Sequence, residues 1–312
     1  MRRFSLMASV AALLPSNAHA GTGPWTLSAD DASVYAGSEY RTFSHIVGGA
    51  GSLDGASTAL PSPIRFATAQ AVVTYGLLDP LELEIAVPWV LGTAARNDAT
   101  GCSDLGQRAC DTTSGLGSVQ ARAKLRILDE VGRSPVSVAV GPHVRVGDAA
   151  HDVRARLTTP TEGQSDLGGF VVVGRSGSFA SSPVSYSAWA QGGYLHRLPN
   201  TSAGQKGLPG DEWNAAAELL IGLGSSVSVG PDILFSTRSG LDLDAADLTD
   251  PDRFAALAVT TVAVGGKLLV RSDHLWTFVV GAAGTVYAEN NPPDSASVSL
   301  GINRQFLGGA TR

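Results

Sequence analysis

From Ala296 to Phe306 the chain alternates: Ala296, Val298, Leu300, Ile302 and Phe306 fall on one face, and Ser297, Ser299, Gly301, Asn303 and Gln305 on the other. A period of two predicts a β-strand with one apolar and one polar side. The same pattern recurs upstream and gives twelve candidate strands, at 32–44, 64–76, 81–91, 117–128, 135–146, 166–176, 184–196, 213–223, 226–238, 256–271, 275–288 and 295–306. An even number suits antiparallel closure of a single chain, with both termini on one side of a membrane.

The connectors support that arrangement, because outer-membrane barrels have short periplasmic turns and longer outer loops. Leu77 to Pro80, Asp129 to Ser134, Gly177 to Pro183, Gly224-Ser225 and Ser272 to His274 are short. Between them lie the longer stretches Gly92 to Leu116, Gly147 to Ser165, Arg197 to Glu212 and Ser239 to Ala255. His45 to Pro63 fits the series as the first outer loop, and Glu289 to Asp294 closes it as a shorter one. The fold class expected is therefore all-β, a transmembrane antiparallel up-and-down barrel of about 12 strands.

The start of the chain agrees with export. Arg2 and Arg3 precede an apolar run from Phe4 to Leu14, and Ala18-His19-Ala20 reads as a cleavage site. This divides the chain into a signal peptide, 1–20, and a barrel, 21–312. The absence of Cys after the cleavage site argues against a lipoprotein, and Arg2-Arg3 alone suits the Sec route. Elsewhere no run of about 18 apolar residues supplies a membrane-spanning helix. The expected location is the outer membrane of a Gram-negative bacterium, with membrane lipid, lipopolysaccharide and the barrel assembly machinery as partners.

Composition narrows the picture further. The chain is 44% hydrophobic but only 16% charged, with 37 Gly, as expected of many short alternating strands. A net charge of −6 argues against nucleic acid. The two cysteines, Cys102 and Cys110, share one long connector and read as a local disulfide in an oxidising compartment; without neighbouring His or Cys they make a poor metal site.

Alternation assigns the charges to the interior, since charges on the lipid face are costly. Glu82 and Glu84 oppose Leu81, Leu83, Ile85, Val87, Trp89 and Leu91; Gln120, Arg122, Lys124 and Arg126 oppose Val119, Ala121, Ala123, Leu125 and Ile127. His143 and Arg145 extend this lining, and later strands add Glu218, Asp232, Arg238 and Lys267. Trp189 falls on the inward phase as a candidate solute contact or packing residue. Tyr35, Tyr40, Trp89, Tyr194, Trp213, Trp276 and Tyr287 sit near strand ends, where interfacial girdles form. Two readings of the charges stand side by side: a self-neutralising structural network, and a charged stripe that admits small polar or anionic solutes.

No catalytic constellation emerges. His45, His151 and His196 lie in or near outer loops, and Gly174 to Gly177 does not form a nucleophile elbow. The acidic run Asp242, Asp244, Asp247, Asp250 and Asp252 lacks the glycine and closing glutamate of an EF-hand.

One hairpin has a more specific look. Tyr75-Gly76-Leu77-Leu78-Asp79-Pro80-Leu81-Glu82-Leu83-Glu84, followed by Val87-Pro88-Trp89, resembles the YG-x-x-D-x-L-E-L hairpin of the outer-membrane proteins of the MetA-pathway of phenol degradation family. Gly115-Leu116-Gly117-Ser118 is similar to that family's next strand entry, with Ser118 in the place of an Asp. The resemblance implies a barrel passing aromatic or other small apolar solutes, with no cofactor and no catalytic residues. The function expected is a passive channel for small solutes; the alternatives are a structural or adhesive barrel with a plugged lumen, and a membrane-embedded hydrolase.

Overall fold

The structure, a computed structural model, describes residues 23–47, 57–94, 113–130, 134–147, 165–179, 182–198, 210–239, 258–272, 275–289 and 293–308. The signal peptide, Cys102 and Cys110, His151 and the acidic run from Asp242 to Asp252 lie outside the described residues. Thirteen strands follow in order: β1 (Ala32–Val47), β2 (Ser57–Leu78), β3 (Leu81–Ala94), β4 (Thr113–Leu116), β5 (Val119–Leu128), β6 (Ser137–Val146), β7 (Asp166–Ser178), β8 (Val184–Arg197), β9 (Glu212–Leu223), β10 (Val227–Arg238), β11 (Val259–Arg271), β12 (Trp276–Glu289) and β13 (Ala296–Phe306).

Each strand pairs antiparallel with its neighbour, and β1 closes the ring by pairing with β13 from Ala32↔Phe306 to Thr42↔Ala296. Twelve strands make the ring; β4 is an extra piece lying along the far end of β3, from Trp89↔Leu116 to Gly92↔Thr113. Alternation predicts a single strand over 117–128. Instead β4 and β5 run in line along β3 and are interrupted opposite Pro88, which has no N–H to give the ladder; the Gly117 amide still donates to the Pro88 carbonyl at 2.8 Å.

The largest departure in strand length lies in the first hairpin. The alternating connector lengths predict a loop from His45 to Pro63. The β1–β2 ladder continues through it, with His45↔Ala59 to Val47↔Ser57 paired beyond a register shift next to Phe43↔Ile64. The shift takes up Pro61 and Pro63, so the hairpin stays paired farther from the barrel.

The two faces differ sharply. Ile85 is 52% and Trp89 54% exposed, while Glu82 between them and the turn is 2% exposed. Leu83, Leu125, Val171, Leu219, Ile233, Leu268, Val280 and Leu300 share the exposed outer face. A band of large apolar side chains on the outside with charges within is the inverse of a water-soluble sandwich and fits a lipid-facing wall. Among the described residues the interior holds two apolar patches: Tyr35, Val72, Ala86 and Val279 on one wall, and Ala139, Val172 and Trp189 on the other.

Candidate solute path

At the end of the short turns, the interior is occupied on one side by the chain's own residues 23–27, with 28–30 exposed at the rim. Lys124 on β5 lies 2.7 Å from Glu82 on β3 and donates to the carbonyls of Gly23 and Trp25 at 2.9 and 2.7 Å. Glu82 in turn accepts the Leu27 amide at 2.9 Å. The Trp25 ring packs against the Ala139–Val172–Trp189 patch, and its indole N–H reaches Glu130 in the β5–β6 turn at 3.0 Å. Pro24 lies against Gly174, where any side chain would meet its ring at 2.8 Å. Glu82 and Lys124, placed on the inner face by alternation, thus form a clamp on main chain. Burial would raise the Glu130 carboxyl, but hydrogen bonds from Ser176 and Trp25 outweigh it and hold the group below its usual range.

Halfway along, Glu218 accepts from Lys267 and from the Trp189 indole at 3.1 Å, and Lys267 also lies 3.2 Å from Asp232. These side chains are all buried on the inner face. Arg122 is placed differently. Its guanidinium stands over the Phe170 ring, 5.7 Å from the centroid, near Glu84 and Arg145, and its Nε is buried with no hydrogen-bond partner among the described residues. His143 shares a 3.2 Å contact with Gln120 beside it. Arg126 sits at the rim and pairs with Asp129 of the turn at 3.4 Å.

At the end of the long connectors a charged belt crosses five neighbouring strands. Arg145 contacts Asp166 at 2.5 Å and Glu212 at 2.8 Å, Arg197 lies 3.5 Å from Asp166, and Arg238 stands in register with Glu212. Signs alternate from β6 to β10, which joins the strand ends electrostatically. Asp166, Arg197 and Glu212 were missed in the sequence because each is the first or last residue of its strand. Their phase was visible: Asp166 with Val172, Arg197 with Trp189, Glu212 with Glu218.

The aromatics divide between the two surfaces. Tyr40, Trp89, Trp213 and Tyr287 are exposed on the outside. Tyr35 corrects the girdle expectation, for it is buried inside. Its ring lies across Gly37 of β1 and Gly301 of β13, where a Cβ would come within 2.2 and 2.3 Å of the hydroxyl, so two glycines leave a flat bed that the ring covers. Near the loop end, Ser44, His45 and Asp294 meet, yet the serine hydroxyl and the carboxylate contact the same ring nitrogen, Nδ1, at 3.1 and 3.0 Å. A Ser-His-Asp relay needs the two on opposite nitrogens, so this grouping does not activate the serine.

No family model matches the chain, and no curated protein matches it in sequence. Solved structures do match. The COG4313 outer membrane channel from Pseudomonas putida F1 superposes with a TM-score of 0.67 at 13% identity, over 90% of this chain and 97% of that one. The NanC porin matches with a TM-score of 0.46 at 9% identity, over 87% and 98% of the two chains. The CymD monoaromatic hydrocarbon channel gives 0.42 at 7% identity, over 90% and 89%. The fold is that of an outer-membrane β-barrel. The short-turn end is then the periplasmic one and the belt from Arg145 to Arg238 lies at the outer mouth.

Proposed function

We propose that this barrel is a passive outer-membrane channel for small solutes, exported by the Sec route with residues 1–20 removed. The observation that carries the reading is a closed ring whose apolar side chains face outward and whose charged ones line the interior. Lipid meets the outer face; lipopolysaccharide at the outer rim and the assembly machinery at β13 complete the set of partners. The inward residues singled out in the sequence have separate roles. Lys124 and Glu82 hold the N-terminal segment, Glu218, Asp232 and Lys267 brace the middle with Trp189, and Arg145 and Arg238 belong to the mouth belt. Arg126 stitches the rim. Arg122, with Glu84 and His143 nearby, is the cation best placed to act on a passing solute. The resemblance of the Tyr75 to Trp89 hairpin makes aromatic and apolar solutes one class to test.

A second reading, a plugged structural barrel, draws on residues 23–27 lying within the periplasmic end. Planar-bilayer recordings separate the two. The wild type is expected to conduct, and Arg122→Gln to shift the reversal potential toward cations, since fixed charges lining a pore set its selectivity. Lys124→Gln removes the clamp on the Gly23 and Trp25 carbonyls and is expected to raise single-channel conductance. If neither the wild type nor Lys124→Gln conducts, the plugged reading stands; an unchanged reversal potential in a folded, conducting Arg122→Gln protein removes Arg122 from the path.

A further inference from the structure

The N-terminal segment covers only part of the periplasmic end. Its inward residues meet β3, β5 and the Ala139–Val172–Trp189 patch, while Asp30 and Asp31 bond Gly76 of β2 and Gly308 beyond β13; the wall from Ser176 of β7 round to Gln305 of β13 lines a cavity of about 1130 Å³. That is slightly above the roughly 300–1,000 Å³ of ordinary ligand pockets. Its chemistry is unlike that of the rest of the interior. Serines supply much of the lining, among them Ser185 and Ser187 of β8, Ser226 and Ser228 at the start of β10 and Ser272 after β11. Thr277, Asn303 and Gln305 add further neutral donors and acceptors. Among the described residues the lining includes one cation, Arg271, which is exposed at the rim, and no carboxylate.

Those polar side chains that lie within the strands face inward by the same phase as the buried residues above them. Ser187 is two residues from buried Trp189, Ser228 four from buried Asp232, and Asn303 is itself buried. Leu220, Leu269 and the Tyr186 ring form small apolar surfaces within the serine-rich wall. Ser, Thr, Asn and Gln all both donate and accept hydrogen bonds, and a serine hydroxyl can rotate to do either. A solute rich in hydroxyl groups offers the same mixed capacity, with C–H faces that suit the two leucines. An aromatic hydrocarbon would leave those wall groups unpaired, and an anion would find one solvated guanidinium.

We infer that this cavity is a binding site for small uncharged hydroxylated solutes of the polyol or sugar class, and that such solutes leave the barrel along the β7–β13 wall, past the N-terminal segment. The inference rests on the channel reading for the direction of travel but not for binding, so the two are tested together. Purified full-length protein in detergent is titrated with maltose and followed by saturation-transfer NMR, beside planar-bilayer recordings of the same preparation. Maltose is expected to bind saturably in the millimolar range, and phenol not to displace it. The double variant Ser187→Ala, Ser228→Ala removes two hydroxyls without adding bulk and is expected to weaken binding about tenfold, as for the loss of two neutral hydrogen bonds. Ser226→Ala, in the turn, gives a second measurement in the same direction if the pair fails to fold. Absence of saturable binding, displacement by phenol, or unchanged affinity in the folded variants overturns the site. Maltose binding without conductance overturns the channel reading and keeps the site, whereas conductance without maltose binding does the reverse.

Discussion

Asp294 shows how much a single side chain can do at the edge of this barrel. Lying just before β13, its carboxylate accepts the amides of Ser44 and His45 at 3.0 Å each and the Ser44 hydroxyl at 2.5 Å, tying the last outer turn to the end of β1. Partial burial would raise its pKa, but the hydrogen bonds from Ser44 and His45 bring it down to about 2. A carboxyl lowered in the folded state contributes stability above its ordinary range near pH 4, and that contribution is lost as the pH falls toward 2. Asp294→Asn is therefore expected to lower the temperature at which heat-modifiable mobility is lost at pH 7, with the gap to wild type closing near pH 2. An equal gap at both values would show that the shape of the side chain, and not its charge, holds the turn.

At the scale of the strand, two similar segments stand out: Ser137-Val138-Ala139-Val140-Gly141-Pro142 in β6, and Ser226-Val227-Ser228-Val229-Gly230-Pro231 leading into and through β10. In both, the Gly-Pro pair interrupts the ladder to the preceding strand, which resumes on either side at Arg122↔His143 and Leu125↔Val140, and at Glu218↔Asp232 and Ile221↔Val229. Proline lacks the N–H, and glycine lets the neighbouring backbone bend in close. A Cβ on Gly141 would stand 1.6 Å from the Ala123 carbonyl oxygen, and one on Gly230 1.7 Å from that of Leu219. Both obstacles are main chain and cannot swing aside. Gly141→Ala is expected to destabilise the barrel by roughly 1–3 kcal/mol or more in urea unfolding, in the range of overpacking. Gly192→Ala, where nothing lies within 4 Å, is expected to stay within about 0.5 kcal/mol. Alternation made these strands legible in the sequence, yet the glycines read only as dilution, because the close approach belongs to the neighbouring strand.

For the whole molecule, orientation follows from the antiparallel ring. The connector between β3 and β4, which carries Cys102 and Cys110, starts at the same end of the barrel as the Arg145 to Arg238 belt. After mild reduction, a bulky maleimide is expected to label these cysteines on intact cells. Labelling that appears only after the outer membrane is broken would invert the barrel and place the N-terminal segment outside.

The sequence alone determined the number of strands in the ring, their order and the division into an apolar outer and a charged inner face. Each of these follows from alternation and connector length, which are local properties of the chain. The tertiary structure decided what the inner residues do. Lys124 and Glu82 share a ladder position that sequence could suggest, but the segment they grip lies about a hundred residues away for Lys124 and fifty-five for Glu82. The mouth belt joins five strands, Tyr35 lies on glycines of two, and the serine-rich cavity appears only where the ends of seven strands converge. Closing a sheet into a ring brings residues far apart in the chain to the same depth. Alternation specifies the side of the wall on which a residue stands, and ring closure specifies its partners.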